Sequence, residues 1–168
     1  MPAKVDKPTD DLITEIASEH EIASSNKIHT KEFDKWIEKK KEINNKVTAS
    51  PQFNERDIWW TSIGVNVGFE EDGKNDIFIR PVLIIKKFNR EMFLGVPLST
   101  KLKDNKYYIQ ITVKEEIVSA MTSQIRVFSS KRIWYKLAVI DDGDFLKVNE
   151  EISKFFILPF LPKQEGRG

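Results

Sequence analysis

The sequence contains no cysteine. That absence excludes disulfide staples, thiolate metal sites and cysteine nucleophiles together, and it fits a reducing, cytoplasmic setting. Histidine is nearly as scarce, with only His20 and His29, both in the N-terminal stretch. Chemistry in the body of the chain is therefore expected to proceed without imidazole, which removes most zinc enzymes and Ser-His-Asp hydrolases. Long apolar runs are missing too. The start, MPAKVDKPTDD, has no apolar signal core, and the longest late apolar stretch, Phe155 to Pro162, is far short of the ~20 residues that span a bilayer. A soluble protein with no membrane partner is expected. Nor is there a charge excess: 27 basic and 26 acidic side chains leave a formal net charge of +1. Only local charge can then speak for a nucleic-acid partner.

What is present is a globular composition, 40% hydrophobic and 32% charged over 168 residues, enough for one ordinary domain and an extension. The turn-forming cluster Thr48-Ala49-Ser50-Pro51 separates two differently patterned halves. This places an N-terminal helical extension at 1–50, a main domain with a closing helix at 51–162 and a loose tail at 163–168. In the first half, Leu12, Ile13, Ile16 and Ala17 recur at helical spacing, as do Phe33, Trp36, Ile37 and Lys40. Two helices are expected, the second starting at a Thr30 N-cap.

The second half is rich in β-branched and aromatic residues broken by Gly, Asn and Asp. Strands are expected at about Asp57 to Ile63, Phe78 to Lys86, Met92 to Leu98, Lys106 to Val113, Ile117 to Met121 and Ile133 to Ile140, to within ~2 to 4 residues. Short strands without intervening helices suggest a barrel or sandwich. After the turn and helix N-cap at Asp141-Asp142-Gly143-Asp144, the positions Phe145, Val148, Ile152, Phe155 and Phe156 fit one face of a helix that Pro159 ends.

Four segments carry possible chemistry. The loop from Gly64 to Asp76 is long enough to be a binding loop, though it also reads as a solvated acidic loop. Arg80, entering an apolar strand, is either an anion binder or the partner of Glu70, Glu71 or Asp72 in a structural ion pair. Ser99, Thr100 and Lys101 bring two hydroxyls and an ammonium to a strand end, where they can orient a phosphate or satisfy a turn. Gln124 and Arg126 lie in a stretch, Ile117 to Ile140, with four basic residues and no acid, and Arg80 to Lys106 holds seven basic residues against two acidic. Such asymmetry suits phosphate binding, and a solvated basic face looks the same. In Trp59-Trp60 one indole should point inward; the outer one packs on the N-terminal helix or stacks on a base.

Read in order, these segments resemble the PemK/MazF toxin family. Arg56-Asp57-Ile58-Trp59-Trp60 is similar to its opening strand, Gly68-Phe69-Glu70-Glu71-Asp72-Gly73 to its first loop, and Arg80-Pro81-Val82-Leu83-Ile84-Ile85 to its second strand. Pro97-Leu98-Ser99-Thr100 and Ser123-Gln124-Ile125-Arg126 complete the series. The resemblance covers roughly two thirds of the chain and leaves out the N-terminal ~50 residues. It implies an SH3-like β-barrel of the PemK/MazF/CcdB kind with a C-terminal helix, and a homodimer that cleaves messenger RNA and is silenced by a cognate antitoxin. By position, Arg80 matches the family's catalytic arginine and Ser99 its active-site threonine, while Glu70 and Gln124 match positions lining the substrate groove. Three departures stand out: Ser99 in place of Thr, extra residues Asn75 to Ile79 before Arg80, and Ser123 where some members carry an acid.

RNA can be cut without a metal or other cofactor because its own 2′-hydroxyl is a nucleophile beside the scissile phosphate. On this reading Arg80 stabilises charge on the phosphoryl oxygens, where a guanidinium fork fits better than a lysine. Ser99 donates a hydrogen bond, Glu70 serves as base, and Thr100, Lys101, Gln124 and Arg126 bind the strand. The competing readings are a non-catalytic SH3-like module that binds nucleic acid or peptide, and a toxin that acts by binding a protein target.

Overall fold

The computed structural model describes residues 29–47, 49 and 51–156. The expected first helix around Leu12 to Ala17, His20, the turn residues Thr48 and Ser50, Pro159 and the tail lie outside the described residues. Helix α1 spans 29–44. Seven strands follow: β1 (Asp57–Ser62), β2 (Ile79–Lys87), β3 (Met92–Ser99), β4 (Tyr108–Val113), β5 (Glu116–Met121), β6 (Arg126–Ser129) and β7 (Ile133–Val139), and then helix α2 (Asp142–Ser153). The six strands expected from sequence fall within two residues of these bounds.

The strands form one antiparallel sheet in the order β4-β5-β3-β2-β1-β7, with β6 also on β3. β3 divides one edge between two partners: Met92 to Gly95 pair with β6, and Leu98 and Ser99 pair with β5. The sheet bends along this shared strand. At Gly95 a Cβ would collide with the Val82 side chain, so glycine permits the close approach of β2 and β3. β2 is apolar on both faces because each face meets a core. Leu83 and Ile85 join Ile58, Val96, Leu98, Ile111, Val148 and Ile152 in one cluster, while Val82 and Ile84 join Phe53, Trp59, Phe93 and Phe128 in another.

The expected barrel is not closed by hydrogen bonds: β4 and β7 end the strand path and do not pair. Helix α2 covers that side instead. Asp141 caps it by accepting from Asp144 N at 2.9 Å, and its buried Val148 and Ile152 complete the first cluster. Thr112 N donates to Asp144 Oδ2 at 2.6 Å and Lys147 Nζ to the Gln110 carbonyl, which ties α2 to β4. Arg56 ties it to the other side, meeting Asp142 at 2.6 Å and the Ile140 carbonyl at 2.7 Å.

Two helix boundaries differ from expectation. Residue 29 is already helical, so Thr30 lies inside α1 rather than at its cap; His29 packs edge-to-face on Phe33, one turn on, at 5.1 Å. α2 gives way at Lys154 to a 3-10 turn through Phe156, well before Pro159. There Phe155 leaves the core face and packs on Tyr107 at 5.7 Å, and Phe156 is exposed.

Candidate active site

Arg80 enters β2 opposite the buried Thr61 of β1, and only 7% of it is exposed. A guanidinium so deep must be paired, and it is. Its NH2 meets the Glu71 carboxylate, Nε donates to the Asp72 carbonyl at 2.8 Å, and NH1 lies 3.5 Å from the Leu98 carbonyl. The structural ion pair weighed from sequence therefore exists, and Glu71 rather than Glu70 makes it. An arginine carries five N–H donors in a fixed fork, so these contacts orient the group and leave donors over.

Arg80 also lines a pocket of about 140 Å³, together with Ser99, Thr100, Lys74, Trp60 and Leu137 among others. The end of β3 thus places Ser99 and Thr100 on the wall of the same pocket as Arg80, while Lys101 is exposed just beyond. Ser99 Oγ accepts from Lys101 N at 3.2 Å, which leaves its own proton available to donate. Trp60 is the outer indole of the pair. It tilts against Tyr135 at 6.0 Å at the pocket's edge, while Trp59 is core.

The loop between β1 and β2 is held from several sides, although its tip from Val67 to Glu70 is exposed. Asn66 N donates to Asp72 Oδ1 at 2.6 Å and Asn66 Nδ2 to the Glu71 carbonyl at 2.7 Å. From across the sheet Gln124 Oε1 accepts from Glu71 N at 3.0 Å, and Gln124 Nε2 donates to the Phe69 carbonyl at 3.1 Å. Arg126 donates to Asn66 Oδ1 at 3.2 Å and stacks over Phe128. Burial pushes the Arg126 guanidinium below its usual value, and the nearby Glu70 carboxylate opposes that shift. Glu70 itself is exposed; its carboxylate accepts from Val67 N at 3.2 Å, and it is not among the pocket's lining residues.

Helix α1 supports the base of this loop. Trp36 and Ile43 bury Val65 and Phe78, with Phe33 alongside. Gly64, at φ +94°, lies so close that a Cβ there would overlap the Trp36 indole. His29 Nε2 comes within 3.5 Å of Asp72 Oδ2. The fold thus carries a histidine of the extension to the loop that holds Arg80.

A family model described as the PemK-like, MazF-like toxin of type II toxin-antitoxin systems matches residues 54–156, more than half of the chain. The chain belongs to this family. The toxin's fold is similar to that of a MazF from Deinococcus radiodurans, at a TM-score of 0.53 and 13% identity over 66% of this chain and 100% of that one. A solved endoribonuclease in complex with its cognate antitoxin, from a Mycobacterial species, aligns at a TM-score of 0.49 and 12% identity, covering 65% of this toxin and 99% of that chain. No curated protein sequence matches the toxin. Membership in a type II system implies a cognate antitoxin. Among the described residues no helix is long and apolar enough to cross a membrane.

Three participants escaped sequence reasoning as site residues. Glu71 adjoins the residue chosen in its place, and nothing in a run of two glutamates says which one faces the arginine. Lys74 follows a loop glycine and reaches the pocket only because Lys74 and Ile79 bridge, folding the loop's end onto β2. The contact of His29 with Asp72 spans more than forty residues and leaves no local pattern.

Proposed function

We propose that this toxin is an endoribonuclease that cleaves single-stranded messenger RNA without a metal ion, in the cytoplasm. The observation that carries the reading is the convergence of a braced, nearly buried Arg80 with the hydroxyls of Ser99 and Thr100 on one pocket. The RNA 2′-oxygen attacks the adjacent phosphorus and loses its proton to a base. A bond forms between that oxygen and phosphorus, the bond from phosphorus to the 5′-oxygen breaks, and the departing oxygen takes up a proton. The products are a 2′,3′-cyclic phosphate and a 5′-hydroxyl.

Arg80 stabilises the charge that grows on the phosphoryl oxygens, and its fixed partners mean that little reorganisation is needed as the reaction proceeds. Ser99 donates a second hydrogen bond to the phosphoryl group. Glu71 is a positioning residue, since its carboxylate is taken up by Arg80. Glu70 serves as the base, with one carboxylate oxygen not used by Val67. Thr100 and Lys101 hold the strand at the end of β3, and Gln124 and Arg126 hold the loop over which it runs.

The unit that does this spans 51–162, with 1–50 as an accessory and 163–168 as a loose tail. The toxin acts as a homodimer, and an acidic, largely disordered segment of the antitoxin silences it by following the path of the RNA phosphates. The test of the chemistry is an RNA oligonucleotide in which the ribose at the cleaved position lacks its 2′-hydroxyl. The deoxy substitution should abolish cleavage at that position alone; a cut there at the normal rate would refute 2′-hydroxyl attack.

A further inference from the structure

Away from the Arg80 pocket, α1 and the turn before β7 enclose a second cleft of about 440 Å³, lined among others by Trp36, Lys40, Ile43, Lys131 and Arg132. Cations crowd its surroundings. Lys46 Nζ lies 4.3 Å from the centre of the Trp134 ring and Lys39 Nζ 5.6 Å from it, and the Arg132 guanidinium lies 5.5 Å from that of Trp36. Lys39 and Lys41 are balanced by Glu42 and Glu38. Lys40, Lys46, Lys131 and Arg132 form no ion pair among the described residues.

A helix C-terminus attracts cations, and Lys131 Nζ does donate to the Asn44 carbonyl at 2.7 Å. That dipole amounts to only about half an elementary charge, too little to balance four cations. The strain of the arrangement shows in two of them: burial pushes Arg132 below its usual value with Arg126 adding to it, and burial lowers Lys46 with Lys39 adding to it. A fold that holds like charges together against their repulsion and partial burial suits a polyanion.

A succession of neighbours also joins the cleft to the site. Arg126 repels Arg132 and binds Asn66, and Asn66 binds Asp72 and Glu71, which hold Arg80. The Arg80 pocket is small against an RNA strand, so flanking nucleotides must run over the surface outside it.

We propose that the cleft between α1 and the β6–β7 turn binds the phosphodiester backbone of the RNA strand beyond the cleavage pocket, through Lys40, Lys46, Lys131 and Arg132. The N-terminal helix is then part of the substrate path. The inference rests on the ribonuclease reading. Phosphates of a single strand passing the pocket fit a cluster of cations that form no ion pair among the described residues and lie beside the half-buried Trp134 indole, a combination that suits single-stranded nucleic acid.

The test measures binding, so it does not depend on turnover. Full-length wild type, K40Q/K46Q and K40R/K46R are titrated at several salt concentrations into fluorescent 2′-O-methyl RNA of about 20 and about 5 nucleotides, which cannot be cut by 2′-hydroxyl attack. For the long RNA, K40Q/K46Q should bind about 10-fold more weakly, with a salt slope shallower by about 1.4 for two lost phosphate contacts. The short RNA should bind equally to both, and K40R/K46R should behave as wild type. Equal affinity and slope for the long RNA overturn the proposal, as does a wild type that does not bind it. Unchanged RNA binding with weakened binding of polyglutamate overturns it in favour of an acidic protein partner. Unmodified RNA incubated with the same wild-type sample tests the ribonuclease reading separately: intact RNA defeats that reading whatever the binding shows.

Discussion

Gln124, in the turn between β5 and β6, grips Glu71 in the loop between β1 and β2, its Oε1 accepting from the Glu71 amide at 3.0 Å, while the Glu71 carboxylate meets Arg80. Arg80, to which we assign the charge-stabilising role, is thus held through a side chain that need not touch substrate. Gln124→Ala removes this bond and the one to the Phe69 carbonyl, each worth about 1 kcal/mol net. We expect kcat to fall about 10-fold, the equivalent of ~1.4 kcal/mol in the barrier, with the melting temperature lowered by a few degrees. An unchanged kcat would mean that the loop holds Arg80 without this clamp.

Arg80→Ala should cost at least ~100-fold in kcat, the scale seen when one preorganised charge stabiliser is lost. Ser99→Ala should cost less and Ser99→Thr should retain activity, because the hydroxyl is what matters. A Ser99→Ala protein as active as wild type would remove the hydroxyl from the mechanism.

The two neighbouring glutamates should separate. Glu70→Gln should flatten the acidic limb of the pH–rate profile, as expected when a general base is removed. Glu71→Gln should lower kcat but keep that limb, because its carboxylate only orients Arg80. Interchanged pH profiles would reassign the base to Glu71.

Much of the fold was legible because a half-buried strand alternates and a strand buried on both faces does not: Pro81 to Ile85 reads as a continuous apolar run, and β2 does lie between two cores. The missed strand, β6, has four residues, begins on a basic residue and buries only Phe128; its register comes from β3, far away in sequence. The closing helix was legible in its stripe of Phe145, Val148 and Ile152; that β4 and β7 stay unpaired beside it was not, since it depends on where Thr112 and Gln110 meet the helix. For the site, the order of motifs brought out Arg80 and Ser99, and the fold places both at one pocket. Which glutamate faces Arg80, and that His29 reaches Asp72, are set by the path of the loop in space.

Helix α1 should matter to the loop it supports. Trp36, 5% exposed, covers Val65 and Phe78 beneath the Arg80 loop. Trp36→Ala should destabilise the protein by about 3 kcal/mol, the lower end for truncating a large buried aromatic, and lower kcat with it. Deleting residues before Pro51 should leave a folded domain with residual nuclease activity and a lower melting temperature. An unfolded truncation product would show that the extension belongs to the core.

The most direct measurement is the incubation of purified wild type and Arg80→Ala with long single-stranded RNA in excess EDTA, followed by end-group analysis of the fragments. The account predicts that wild type cuts the RNA to fragments ending in 2′,3′-cyclic phosphate and beginning with a 5′-hydroxyl, while Arg80→Ala leaves it nearly intact. RNA left whole by wild type, or cut equally by both proteins, would contradict it.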